Sequence, residues 1–132
     1  MRLTRILSGT VTVVLLALTP LAATLGAQAA QAERALPKRT ISSTIEDTGN
    51  TLVFRGNVSP GHANKRVFIQ KKNCKGERCD WHRFDTVRTN DKGGFHRQVP
   101  APKDGYWYWR AKVKAHGGYG TSYSDVWRTF VL

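Results

Sequence analysis

Tyr106-Trp107-Tyr108-Trp109-Arg110-Ala111-Lys112-Val113-Lys114-Ala115 decides the fold. Its odd-numbered residues, Trp107, Trp109, Ala111, Val113 and Ala115, are all apolar. Its even-numbered residues, Tyr106, Tyr108, Arg110, Lys112 and Lys114, are polar or amphipathic. Ten residues with a period of two describe a β-strand with one buried and one wet face. A helix would scatter the same apolar residues around its circumference. The stretch is expected to be the central strand of a β-protein.

On either side the chain breaks into short runs bounded by turn residues. Before the central strand, residues 95–99 end at Pro100, and Pro102 to Gly105 turn into it. Asn90-Asp91-Lys92-Gly93-Gly94 is hairpin chemistry and joins residues 81–89 to residues 95–99. Residues 65–72 carry Val67 and Ile69 on one face, with Phe68 opposite. Ser59-Pro60-Gly61-His62 and Asp47-Thr48-Gly49-Asn50 are further turns around residues 51–58, where Leu52, Phe54, Gly56 and Val58 alternate with their neighbours. Residues 40–45 make a first strand. Gly117-Gly118-Tyr119-Gly120 turns out of the central strand, and residues 125–132 close the chain. Seven short strands at this spacing predict an all-β sandwich or barrel. No helical period or internal repeat follows residue 32. The expected core is Leu52, Phe54, Val58, Val67, Ile69, Trp81, Phe95, Val99, Trp107, Trp109, Ala111 and Val113.

The start of the chain reads as an address. Arg2 and Arg5 form a positive region, an apolar run follows to Leu25, and Ala27-Gln28-Ala29 and Ala30-Gln31-Ala32 are small-x-small sites. This order is that of a secretory signal peptide over residues 1–32. A retained membrane anchor is the alternative; Pro20 and the polar Ser8, Thr10 and Thr12 weigh against it. Residues 33–39 read as a linker, and residues 40–132 as one domain. No membrane span is expected once the signal is removed.

The 132 residues hold 21 basic and nine acidic side chains, a formal charge of +12. That excess predicts contact with something acidic, such as an anionic polysaccharide, a teichoic-type polymer, a membrane surface or nucleic acid. Simple solubility and repulsion between copies is the plainer reading of the same charge. A domain of this size buries about 65% of its unfolded surface and has little spare core for a deep active-site pocket.

Four stretches resemble a family. They are Gly56-Asn57-Val58-Ser59-Pro60-Gly61; Val67-Phe68-Ile69-Gln70-Lys71-Lys72 with Trp81 downstream; Thr89-Asn90-Asp91-Lys92-Gly93-Gly94-Phe95 ending in Val99-Pro100; and the aromatic strand followed by Gly120-Thr121-Ser122-Tyr123-Ser124. Together they resemble the immunoglobulin-like or fibronectin type III-like domains of secreted bacterial proteins, of actinobacterial type. The resemblance covers residues 50–132. It implies a seven-stranded antiparallel β-sandwich and a non-catalytic spacer, adhesion or binding module. This chain departs from the pattern at Arg97, where an apolar residue is usual, and at Trp109, where a corner tyrosine is usual. The third departure is a pair of cysteines in residues 73–80.

Cys74 and Cys79 are the only cysteines. In an exported protein such a pair forms a disulfide. His82 stands two residues beyond Cys79, but a structural zinc site needs four ligands and no second pair of matching spacing exists. No metal and no cofactor is therefore expected.

For catalysis the sequence offers little. His62, His82, His96 and His116 form no metal-ligand spacing. There is no Gly-x-Ser-x-Gly elbow and no phosphate-cradling loop. A small secreted ribonuclease would need an acid–base pair, for which His82, His96 and Glu77 are the available residues.

The better candidate is a surface. Tyr106, Tyr108, Arg110, Lys112 and Lys114 stand in line on the wet face, with Arg55, Lys71, Arg83 or Arg88 as extensions from neighbouring strands. Rings can stack on sugars while basic side chains hold anions beside them. The same residues also describe ordinary cross-strand packing of tyrosines on Lys and Arg stems. The expected role is thus structural or binding, outside the cell or at its wall, through an anionic cell-wall polysaccharide or another extracellular protein. The chain is expected to be a monomer. A secreted inhibitor presenting the Cys74–Cys79 loop is the alternative. Nucleic acid is a weaker partner, because export argues against it and no recognition helix is visible.

Overall fold

The computed structural model describes residues 36–49 and 51–131. The segment read as a signal peptide lies outside them. Among the described residues there is no helix, and none long and apolar enough to cross a membrane. Eight strands follow in order: β1 Thr40–Asp47, β2 Leu52–Ser59, β3 Arg66–Lys72, β4 His82–Arg88, β5 Gly94–Val99, β6 Tyr106–Val113, β7 Ser122–Tyr123 and β8 Trp127–Phe130. They form two antiparallel sheets. One has the order β1-β2-β5; the other runs β4-β3-β6-β7, with β8 also on β6.

The sheets meet over one cluster: Ile41, Phe54, Val58, Val67, Ile69, Phe95, Val99, Trp109, Ala111 and Val113, all buried. Both sheets contribute, as in a β-sandwich. The cluster follows the period-two pattern strand by strand, so the wet and dry faces of β6 fall as its sequence predicts. Trp109 is fully buried, and its indole Nε1–H donates to Thr129 Oγ1 at 3.0 Å. A ring of that size needs such an acceptor when no water reaches it. Gly56 is required where it stands. A Cβ there would lie 2.2 Å from the Ser42 carbonyl oxygen and 2.7 Å from the Phe95 ring, which packs edge-on against Phe54.

Eight strands rather than seven result because Ser122–Tyr123, ahead of the closing segment, forms a short strand of its own, separated from β8 at Ser124. Ser124 Oγ accepts the Ala111 N–H at 2.8 Å and donates to the Asp125 carbonyl, while Ser124 N–H donates to Ala111 O. The local side-chain bonds take the place of ladder bonds. So β7 pairs with the end of β6 and β8 with its start.

Trp81 is not in the core. The β3–β4 register shifts between Ile69 and Gln70: Ile69 faces Asp85, but Gln70 faces Arg83, so Phe84 is an extra residue. This bulge inverts the face of everything before it on β4. Val87 packs on the core, Phe84 reaches edge-on to Trp109 at 5.1 Å, and Trp81 moves outside. In its place Ile41 joins the core, with Ile45 and Trp127 packed against it.

The lead-in is fastened to the domain from Pro37 onward. Pro37 O accepts from Gly120 N–H, and Lys38 bridges Gly120. Arg39 is buried, donating to Pro60 O and His116 O with its guanidinium 4.3 Å from the Tyr119 ring centroid. Cys74 and Cys79 are joined by a disulfide, Cα–Cα 6.0 Å, in the loop between β3 and β4.

Candidate functional site

The outer face of the five-stranded sheet can be read in rows across β4, β3, β6 and the β7/β8 edge. Arg66 faces Arg88. In the next row Thr86, Phe68, Lys112 and Tyr123 stand side by side. Then come Arg83, Gln70 and Arg110. Lys72, Tyr108 and Arg128 form the fourth row, and Tyr106 with Phe130 the last. Tyr106, Tyr108, Arg110 and Lys112 are thus brought together as the sequence predicts, with the exposed Lys114 just past the end of β6.

Arg110 is the centre of the face. Its guanidinium carbon lies 4.2 Å from the Trp81 ring centroid and 4.2 Å from that of Tyr123. Its Nε–H donates to Gln70 Oε1 at 2.8 Å. Burial lowers its pKa from the ordinary guanidinium value and the Tyr123 hydroxyl opposes that, but an arginine stays charged at neutral pH. Neither Nη group has an acceptor among the described residues. Around it the pattern repeats. Lys72 Nζ lies 4.9 Å from the Trp81 ring, Lys112 Nζ 5.6 Å from Tyr123, and the Arg128 guanidinium 5.0 Å from Tyr106. Each of these rings has one of the protein's own cations within cation–π distance, while Tyr106 and Tyr123 stay half-exposed.

Strands β3, β6, β7 and β8 carry no carboxylate at all. Asp85, the one acid on β4, is turned to the other sheet and paired with Arg97. From Tyr106 to Lys114 the face runs about 27 Å. An unneutralised strip of that length, with cations in successive rows, suits an extended anion.

Two proposed extensions lie elsewhere. Arg55 sits on the outer face of the smaller sheet and pairs with Glu46 at 3.1 Å. Lys71 faces Trp109 across β6, which puts it on the inner face, its Nζ 3.7 Å from the Trp107 ring centroid. Arg83 and Arg88 do belong to the face. Arg128, Phe130 and Tyr123 were missed, although Trp127-Arg128-Thr129-Phe130 alternates legibly. Trp81 had no such signal, because only the bulge brings it outward.

His82 and His96 stand on strands of different sheets. Among the described residues no group of three or more His, Cys, Asp and Glu side chains is gathered as a metal would need.

No protein-family model, curated protein or solved structure matches this chain.

Proposed function

We propose that the chain is an exported, non-catalytic module of immunoglobulin or fibronectin type III type, which binds an anionic cell-wall polymer through the outer face of the β4-β3-β6-β7/β8 sheet. The observation that carries this reading is Arg110, held between two rings with no acceptor for its Nη groups among the described residues, on strands without an outward-facing carboxylate. The strand order supports the fold type: three strands β1-β2-β5 against a sheet in which β6 lies between β3 and the last segment. Export is supported by the order of Arg2, Arg5, the apolar run and the small-x-small sites. The polymer is supported by the length of the strip. A small ligand would leave most of its rows unneutralised.

The test is a pull-down of purified protein on insoluble cell wall at low and moderate salt. Arg110→Gln and the pair Tyr106→Ala/Tyr108→Ala run beside the wild type. Retention that survives moderate salt and falls with both variants supports a built site. Retention lost equally by all three on adding salt reduces the interaction to net charge, and that outcome overturns the proposal. So does the absence of retention.

A further inference from the structure

At the Lys114 end of this face the surface dips into an open concavity of about 350 Å³. Lys65, Arg66, Arg88 and Lys114 line it, together with Asn64, Phe68, His62 and His116. Arg66 and Arg88 are direct cross-strand partners on β3 and β4. Phe68 faces Lys112 on β6, and the same register carried two residues on sets Lys114 opposite Arg66. Three cations therefore stand in one row across three chain segments. Like charges directly opposite one another are destabilising in a sheet. Arg88 donates from Nη1 to Asn64 O at 3.1 Å, which satisfies a donor without cancelling its charge. Among the described residues no carboxylate lines the concavity. The ion pairs of the described residues, Arg55–Glu46 and Arg97–Asp85, use none of these cations.

We infer that this concavity is a binding site for a phosphomonoester group. A lone carboxylate would leave most of the repulsion among four cations in place. A phosphomonoester brings about −1.5 to −2 charges and three strong acceptor oxygens. Guanidinium groups grip two such oxygens at once. A volume of about 350 Å³ also admits the carbon skeleton bearing the phosphate, and it falls within the range of small-molecule sites. The Phe68 ring, with Lys114 Nζ 5.2 Å from its centroid, gives that skeleton an apolar wall. The inference rests on the anionic-ligand reading of the same face and names the chemistry of one of its subsites.

The experiment titrates purified protein with phenyl phosphate and with benzoate at equal ionic strength, read by calorimetry. Wild type, Arg66→Gln and Lys114→Gln are compared, and each is also assayed on insoluble cell wall. Phenyl phosphate should bind at least tenfold more tightly than benzoate, and each substitution should weaken it about tenfold. Both variants should melt no lower than wild type in phosphate-free buffer, since each removes a like-charge contact. Should Arg66→Gln melt early, Lys114→Gln, altered at an exposed position, carries the comparison. Equal binding of the two anions, no binding of phenyl phosphate, or variants that bind as tightly as wild type each overturn the inference. Wall retention without phenyl phosphate binding removes the subsite and keeps the face. Phenyl phosphate binding by a protein that ignores the wall keeps the subsite and removes the wall polymer as its ligand.

Discussion

Arg97 and Asp85 form an ion pair between the two sheets, joining the edge strands β5 and β4. Arg97 occupies a position whose strand neighbours Phe95 and Val99 are buried, so an apolar residue is expected there. The bulge at Phe84 delivers Asp85 to it. Both groups keep contact with solvent, which limits the value of the pair. Asp85→Asn should cost about 0.5–1 kcal/mol in urea unfolding, with the cost shrinking in high salt. A double-mutant cycle with Arg97→Gln measures the pair itself.

His62 makes stability depend on pH. Burial holds its imidazole below the ordinary histidine value, and Arg39, His116 and Lys65 push the same way against the Arg66 carbonyl. Its Nε2–H donates to Arg66 O, and the buried Nδ1 has no partner among the described residues. In the unfolded chain the group titrates near 6.5. Unfolding therefore takes up a proton once the pH is below that value. The contribution is complete above about 6.5 and is lost as the pH falls toward the lower folded value. Melting temperature should drop between pH 7.5 and 5.5, and His62→Gln should flatten that slope.

Cys74 and Cys79 should yield no titratable thiol in the purified protein, with or without denaturant. Replacing both by Ser should lower unfolding free energy by about 2 kcal/mol, the chain-entropy estimate for so short a loop.

Trp109 and Trp81 separate folding from binding. Trp109→Ala empties the centre of the core and should destabilise by about 3–5 kcal/mol. Trp81→Ala leaves the charge of the face unchanged but removes the ring beneath Arg110 and Lys72. Retention on cell wall should fall several-fold while the melting temperature stays close to that of the wild type.

Much of this was legible in the chain, because a two-residue period writes burial directly into the sequence. Phe54, Val58, Val67, Ile69 and the alternating β6 residues fell on the dry side as read. The candidate face was legible along one strand only. Which neighbours extend it depends on register, and register is set by pairings distant in sequence. Arg55 belongs to the other sheet for that reason. Lys71 is one residue out of phase with its neighbours on the face. Trp81 was misread because one extra residue, Phe84, reverses the alternation, and nothing in His82-Arg83-Phe84-Asp85 announces it. The break at Ser124 was equally silent, since it depends on a hydroxyl meeting the backbone of Ala111.

That break and the bulge at Phe84 lie on the two opposite margins of the same five-stranded sheet. A second copy could lengthen the sheet only by finding an unbroken row of amide and carbonyl groups along one of them. On one margin the row is kinked; on the other it is cut into stubs of two and four residues. Edge-to-edge addition of further copies along either margin of this sheet is thereby disfavoured.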